Sequence, residues 1–182
     1  MIKGLKKVLL NLTNIKNALK KDIDRRFIEL SLKWISNRAN ELLDSDLTYA
    51  PHTFGTNIRE WDIIINNNVG RLENRYENSA SVEFGIGPVG KEQPQLHAQE
   101  SSWQYDIGNR LKINSENDGW NFYDQNGKFW YNFRGYKGKS FLYDALMEYN
   151  QKEMWKILYE QAFDEIVGSI KGVKRVWNLM IK

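Results

Sequence analysis

The sequence contains no cysteine and only two histidines in 182 residues. The first absence excludes a disulfide framework, a zinc–thiolate site and a cysteine nucleophile, and it fits a reducing compartment. The second argues against a zinc centre built on imidazoles, because such a centre commonly takes two or three of them. His52 and His97 also lie far apart along the chain. Proline is scarce, at three residues. No apolar run reaches the ~18 residues that span a bilayer. Met1 to Leu12 has a basic start and the run Val8-Leu9-Leu10, but that run is short and no small-residue cleavage site follows. Neither a signal peptide nor a membrane partner is therefore expected. No serine sits in a nucleophile-elbow pattern, and no repeat recurs at a fixed period.

What the chain has instead is aromatic area and an uneven distribution of charge. Aromatic residues make up 13% of it, with seven Trp, nine Tyr and eight Phe, which argues for a folded core despite the many Asn and Lys. Residues 1–40 hold ten Lys and Arg against three Asp and Glu, while the rest of the chain is mildly acidic. A basic arm suits nucleic acid, an anionic membrane or an acidic protein; it also suits a solvated helix face.

Periodicity predicts a short amphipathic helix at 3–12, with Thr13 or Asn14 capping the next element. Ile15, Leu19, Ile23, Phe27, Leu30 and Trp34 recur at spacings of three and four. Beside them run Ile28, Leu32, Ile35, Ala39 and Leu42, giving a long helix over about 15–43. Its first half carries Lys16, Lys20, Lys21, Arg25 and Arg26. Residues 49–55 read as a loop. Strands follow at Ile58–Ile65 and Val69–Tyr76 around Asn66-Asn67-Asn68, and a third at Ala80–Ile86, where apolar and polar residues alternate. Residues 91–102 allow at most one helical turn, Trp103 to Ile107 alternates briefly, and 109–118 is Asn-rich. Trp120–Tyr123 and Lys128–Phe133 flank Asn126-Gly127, a hairpin signature. Ser140 caps a long helix that Gly168 ends. The fold class is α+β: an antiparallel sheet of hairpins packed against a long N-terminal helix and a long C-terminal helix. The boundaries are an N-terminal basic arm at 1–14, one domain at 15–167 and a basic amphipathic tail at 168–182.

Gly85, Gly87 and Gly90 spell G-x-G-x-x-G. In a dinucleotide fold the third glycine opens a helix whose N-terminus receives the pyrophosphate. Here Pro88 lies inside the loop, Pro94 follows, and no βαβ pattern surrounds it. A strand end or bulge with close backbone approach is the better reading. Asp62 and Glu83 are a carboxylate pair that nothing places around a substrate. Glu83 is either a buried acid with a raised pKa or a polar-face, ion-pairing residue. Trp103, Trp120, Trp130 and Trp155 suit base or sugar stacking, and equally suit a core or a subunit contact. Neither a catalytic residue nor a cofactor is expected.

Three segments, in order, resemble the tail-completion family of long-tailed bacteriophages, also described as minor tail or head–tail joining (neck) proteins. They are Ala50-Pro51-His52-Thr53-Phe54-Gly55-Thr56-Asn57-Ile58, then Ser79 to Gly90 with Val82-Glu83-Phe84-Gly85-Ile86-Gly87 at its centre, then Gly135 through Phe141-Leu142-Tyr143-Asp144-Ala145. The chain departs from the family pattern at Phe54, at Ser79, in the insertion 91–118 and in the tail. The resemblance implies a virion protein without catalysis, made in the bacterial host cytoplasm. It implies a ring, often of six copies, around the DNA channel. Its partners would be itself, a tail terminator or tail tube protein and the head connector or portal, with non-specific contact to packaged DNA. Glu83, Phe84, Gly85, Trp120, Trp130, Tyr131 and Phe141 are then expected at a subunit or neck interface. Lys16, Lys20, Lys21, Arg25 and Arg26 are expected to face DNA or an acidic partner. A nucleic-acid-binding module using the basic helix and the aromatics is the alternative, and an enzyme built on Glu83 comes third.

Overall fold

The computed structural model describes residues 3–45, 56–76, 79–100, 103–104, 120–123 and 129–169. Helix α1 runs Lys3–Ser45 and is followed by a 3₁₀ turn at Thr56–Arg59. Strands β1 (Trp61–Asn66) and β2 (Val69–Asn74) come next. Then come α2 (Ser79–Phe84), β3 (Gly85–Ile86), α3 (Gly87–Glu92) and α4 (Leu96–Glu100). Strands β4 (Trp120–Tyr123), β5 (Phe129–Phe133) and β6 (Tyr136–Lys137) precede α5 (Phe141–Gln151) and α6 (Met154–Ser169). The protein is thus mixed helix and sheet, with a long N-terminal helix and small antiparallel sheets. The described strands form three two-stranded sheets, β1–β2, β3–β6 and β4–β5, rather than one sheet.

Contacts divide the chain into two compact units. The first comprises Met1–Trp34, Ile63–Leu72 and Tyr149–Lys182; the second comprises Ile35–Asp62 and Glu73–Glu148. The core of the first unit joins α1 to α6. Ile23, Ala162 and Val167 are buried together, with Leu19, Phe27, Leu30, Phe163 and Ile166 packed around them. The Phe27 and Tyr159 rings meet edge to face at 5.5 Å, and the Ser31 and Tyr149 hydroxyls hydrogen-bond at 2.8 Å. Ala162 has no exposed area, which lets the helices approach closely. The hairpin turn in this unit uses Asn67 and Asn68 at φ 48° and 63°. That is the left-handed pair of a tight turn, which Asn tolerates well. Gly70 on β2 lies against Ile28 and Leu32 of α1, leaving no room for a side chain.

Replacing Ile23 by Ala is expected to cost roughly 2–5 kcal/mol in urea unfolding, because the site is buried and closely packed. The same change at Ile15, which is 61% exposed, should stay within about 0.5 kcal/mol. Equal losses at both positions would show that α1 does not pack by this stripe.

In the second unit, Asn40 of α1 acts as a two-way polar bracket. Its amide donates to the Arg59 carbonyl at 3.1 Å and accepts from Trp61 Nε1 at 2.9 Å. Arg38 forks onto Glu148 through Nε and Nη2 at 3.0 and 2.8 Å. Asp62, half of the carboxylate pair noted above, is bound by Arg75 at 2.6 Å and its pKa is lowered by that guanidinium. Ile58, Val82, Ala98, Phe141 and Ala145 are buried.

Five expectations from the sequence need correction. No second helix starts at Thr13 or Asn14, because α1 is continuous from Lys3. Ala80–Ile86 is not a strand: Ser79–Phe84 is a helical turn and only Gly85 and Ile86 are extended. The apparent alternation fails because Val82 and Glu83, adjacent in sequence, are both buried. Pro88 does not prevent a helix. It sits in the first turn of α3, where its missing N–H costs nothing, and α4 follows, so 91–102 is more helical than expected. The long C-terminal helix is two helices, divided at Lys152 and Glu153, with Glu153 at φ 49°. Ser140 does not cap α5 with its side chain. Its φ is 55° and its buried Oγ finds no hydrogen-bond partner among the described residues. The Ala50–Gly55 segment, the 109–118 stretch, the Asn126-Gly127 turn and the tail from 170 lie outside the described residues.

Candidate functional site

The helix N-terminus that Ser140 leaves uncapped is capped by Glu83. Its Oε2 accepts from the Leu142 N–H at 2.9 Å, and its Oε1 accepts from the Tyr143 N–H at 3.0 Å. These are two of the donors that the first turn of a helix leaves unsatisfied, and a carboxylate there also meets the positive end of the helix dipole. Glu83 belongs to α2, sixty residues before Tyr143. The acid therefore braces two distant parts of the chain.

His97 of α4 closes the arrangement. Its ring stacks on Tyr143 with centroids 4.4 Å apart and planes 4° from parallel. Its Nε2 lies 3.0 Å from Glu83 Oε1. Phe84 packs on His97 at 5.0 Å and on Trp103 at 5.3 Å. Trp103 Nε1 in turn donates to the Gly85 carbonyl at 3.1 Å. Burial raises the Glu83 pKa above the ordinary glutamate value, against the opposing pull of the Leu142 and Tyr143 N–H groups and of His97. Asp144 is also raised, chiefly by burial.

Around this acid, two glycine segments clasp each other backbone to backbone. Gly85 pairs with Lys137, and Ile86 with Tyr136. The Lys139 N–H donates to the Val82 carbonyl at 2.8 Å, Ser140 N–H to Glu83 at 3.1 Å, and Val89 N–H to Arg134 at 3.1 Å. Gly85 and Gly135 have φ of 90° and 91°. A Cβ on Gly85 would lie 2.5 Å from the Gly138 nitrogen and 2.7 Å from the Tyr136 oxygen. Gly85 of the G-x-G-x-x-G segment thus serves close backbone approach, which the sequence reading favoured over phosphate binding.

Chemically, the Glu83 carboxylate is engaged from within the chain. Its side chain is 8% exposed, and both oxygens hold backbone donors. It works as a brace for α5. Among the described residues, no group of three His, Cys, Asp or Glu is arranged to hold a metal ion, and no helix is long and apolar enough to cross a membrane.

The interface residues expected from the sequence are only partly brought together. Glu83, Gly85 and Phe141 meet in one place, but inside their own unit; Glu83 and Phe141 are 6% and 2% exposed. They are held within the fold of that unit. Phe84 is half-buried under His97 and Trp103. Trp120, Trp130 and Tyr131 lie on the β4–β5 hairpin, where Trp120 opposes Phe133 and Phe122 opposes Trp130, with an irregularity between the two pairs. Trp155, on α6, is 45% exposed with Lys156 Nζ 5.2 Å from its ring centre. Sequence reasoning missed His97, Gly135, Gly138 and Tyr143. The repeated glycines of Gly135-Tyr136-Lys137-Gly138 were the available signal.

The basic residues of α1 do not form one patch. Lys16 and Lys20 stand one turn apart, as do Lys21 and Arg25, and the two pairs point about 140° apart around the helix. All four are exposed. Arg26 is half-buried and engaged, with Glu29 at 2.9 Å and Glu165 at 2.6 Å.

Comparison with protein-family models, with curated proteins and with solved structures finds no match to this chain.

Proposed function

We propose that this chain is a structural subunit of the neck of a long-tailed bacteriophage, a tail-completion protein without catalytic activity. In this reading it forms a ring, of six copies in the usual arrangement, around the DNA channel. It joins the tail terminator or tail tube to the head connector. Packing of the small sheets against the long N-terminal helix and the C-terminal helices is part of the same proposal.

One observation supports it most. Two of the three segments that resemble the family, Ser79–Gly90 and Gly135–Ala145, depend on each other in the fold. The first supplies the acid that caps the helix opened by the second, and their glycines interlock. A shared pair of segments that must fit together is stronger grounds for kinship than two short matches taken separately.

The test is assembly. Purified protein, alone and with tail tube or connector protein, is expected to form rings visible in negative-stain images and countable by native mass spectrometry. It is also expected in purified particles. A chain that stays strictly monomeric and is absent from particles overturns the proposal.

The second reading, a nucleic-acid-binding module, draws on Lys16, Lys20, Lys21 and Arg25, which are exposed and make no ion pair among the described residues. It requires binding to bare duplex DNA that weakens steeply with salt. Replacing the four by Ala should reduce the logarithmic salt slope by about 1 per residue. A slope that ignores these substitutions removes this reading.

A further inference from the structure

No further inference is drawn: the strongest candidate, the apolar stripe of α1 that continues from the core to the exposed Ile15, is an unpartnered helix face, and nothing in the structure shows what covers it.

Discussion

Gly85→Val is expected to remove a large part of the stability of the chain. The residue has φ 90°, a region that a β-branched side chain essentially never occupies. Its Cβ would lie 2.5 Å from the Gly138 nitrogen, which is backbone and cannot swing aside. Backbone strain of about 1–3 kcal/mol and overpacking of a similar size add to roughly 2–6 kcal/mol. A domain of this size has about 5–15 kcal/mol in all. The variant should appear mainly in the insoluble fraction, or unfold at a much lower urea concentration. Gly138→Ala tests the opposite side of the clasp, since its Cβ would lie 2.7 Å from the Gly85 nitrogen and closer still to the Glu83 carbonyl. If both variants keep the wild-type urea midpoint, the two glycine segments do not pack as described.

The second large effect belongs to Glu83. Glu83→Ala strips the cap from α5 and leaves the Leu142 and Tyr143 N–H groups without acceptors in a buried place. The expected cost is about 2–4 kcal/mol. Glu83→Gln keeps one amide oxygen as acceptor and should cost less. The two variants also differ in their response to pH. The carboxyl is raised above the ordinary glutamate pKa by burial. A group whose folded pKa lies above its unfolded value contributes stability that is complete below the unfolded pKa. That contribution is lost as pH rises through the folded value. Wild type should therefore lose ground to Glu83→Gln as pH rises from the normal glutamate range towards neutrality. Urea unfolding of both proteins across that range measures the difference directly, and common titrations cancel. A gap that stays constant, or moves in the wild type's favour with rising pH, contradicts the buried-acid assignment.

How much of this could be read from the sequence depended on whether the deciding contact was local. The long N-terminal helix is legible because Leu19, Ile23, Phe27 and Leu30 repeat at helical spacing, and these residues do reach the core. The first hairpin is legible because consecutive asparagines tolerate left-handed backbone, and Asn67 and Asn68 adopt it. The Ser79–Gly90 stretch was half legible. Its glycines announced an unusual backbone, and Gly85 and Gly87 bear that out with φ of 90° and 66°. Its alternation suggested a strand, and here distant contacts won. Glu83 must reach the start of α5, and a helical turn over 79–84 carries it there. No pattern within ten residues encodes a partner sixty residues away. Ser140 misled for the same reason: serine before a helix is usually the cap, but here the cap comes from elsewhere in the chain. The break at Glu153 has no glycine or proline to mark it.

The glycine clasp has one more consequence, for how the chain tolerates change in length. Its arms, near Gly85 and Lys137, are about fifty residues apart in sequence but bonded in register. Closing a loop costs entropy that grows only logarithmically, about 0.6 kcal/mol for each doubling of its length. Once the arms are joined, the intervening chain can be lengthened or shortened at little thermodynamic penalty, provided the clasp and the residues that brace it are kept. The penalty falls on speed, because contacts between distant residues slow folding. A chain built this way can exchange the segment between its arms while keeping the capped helix in place.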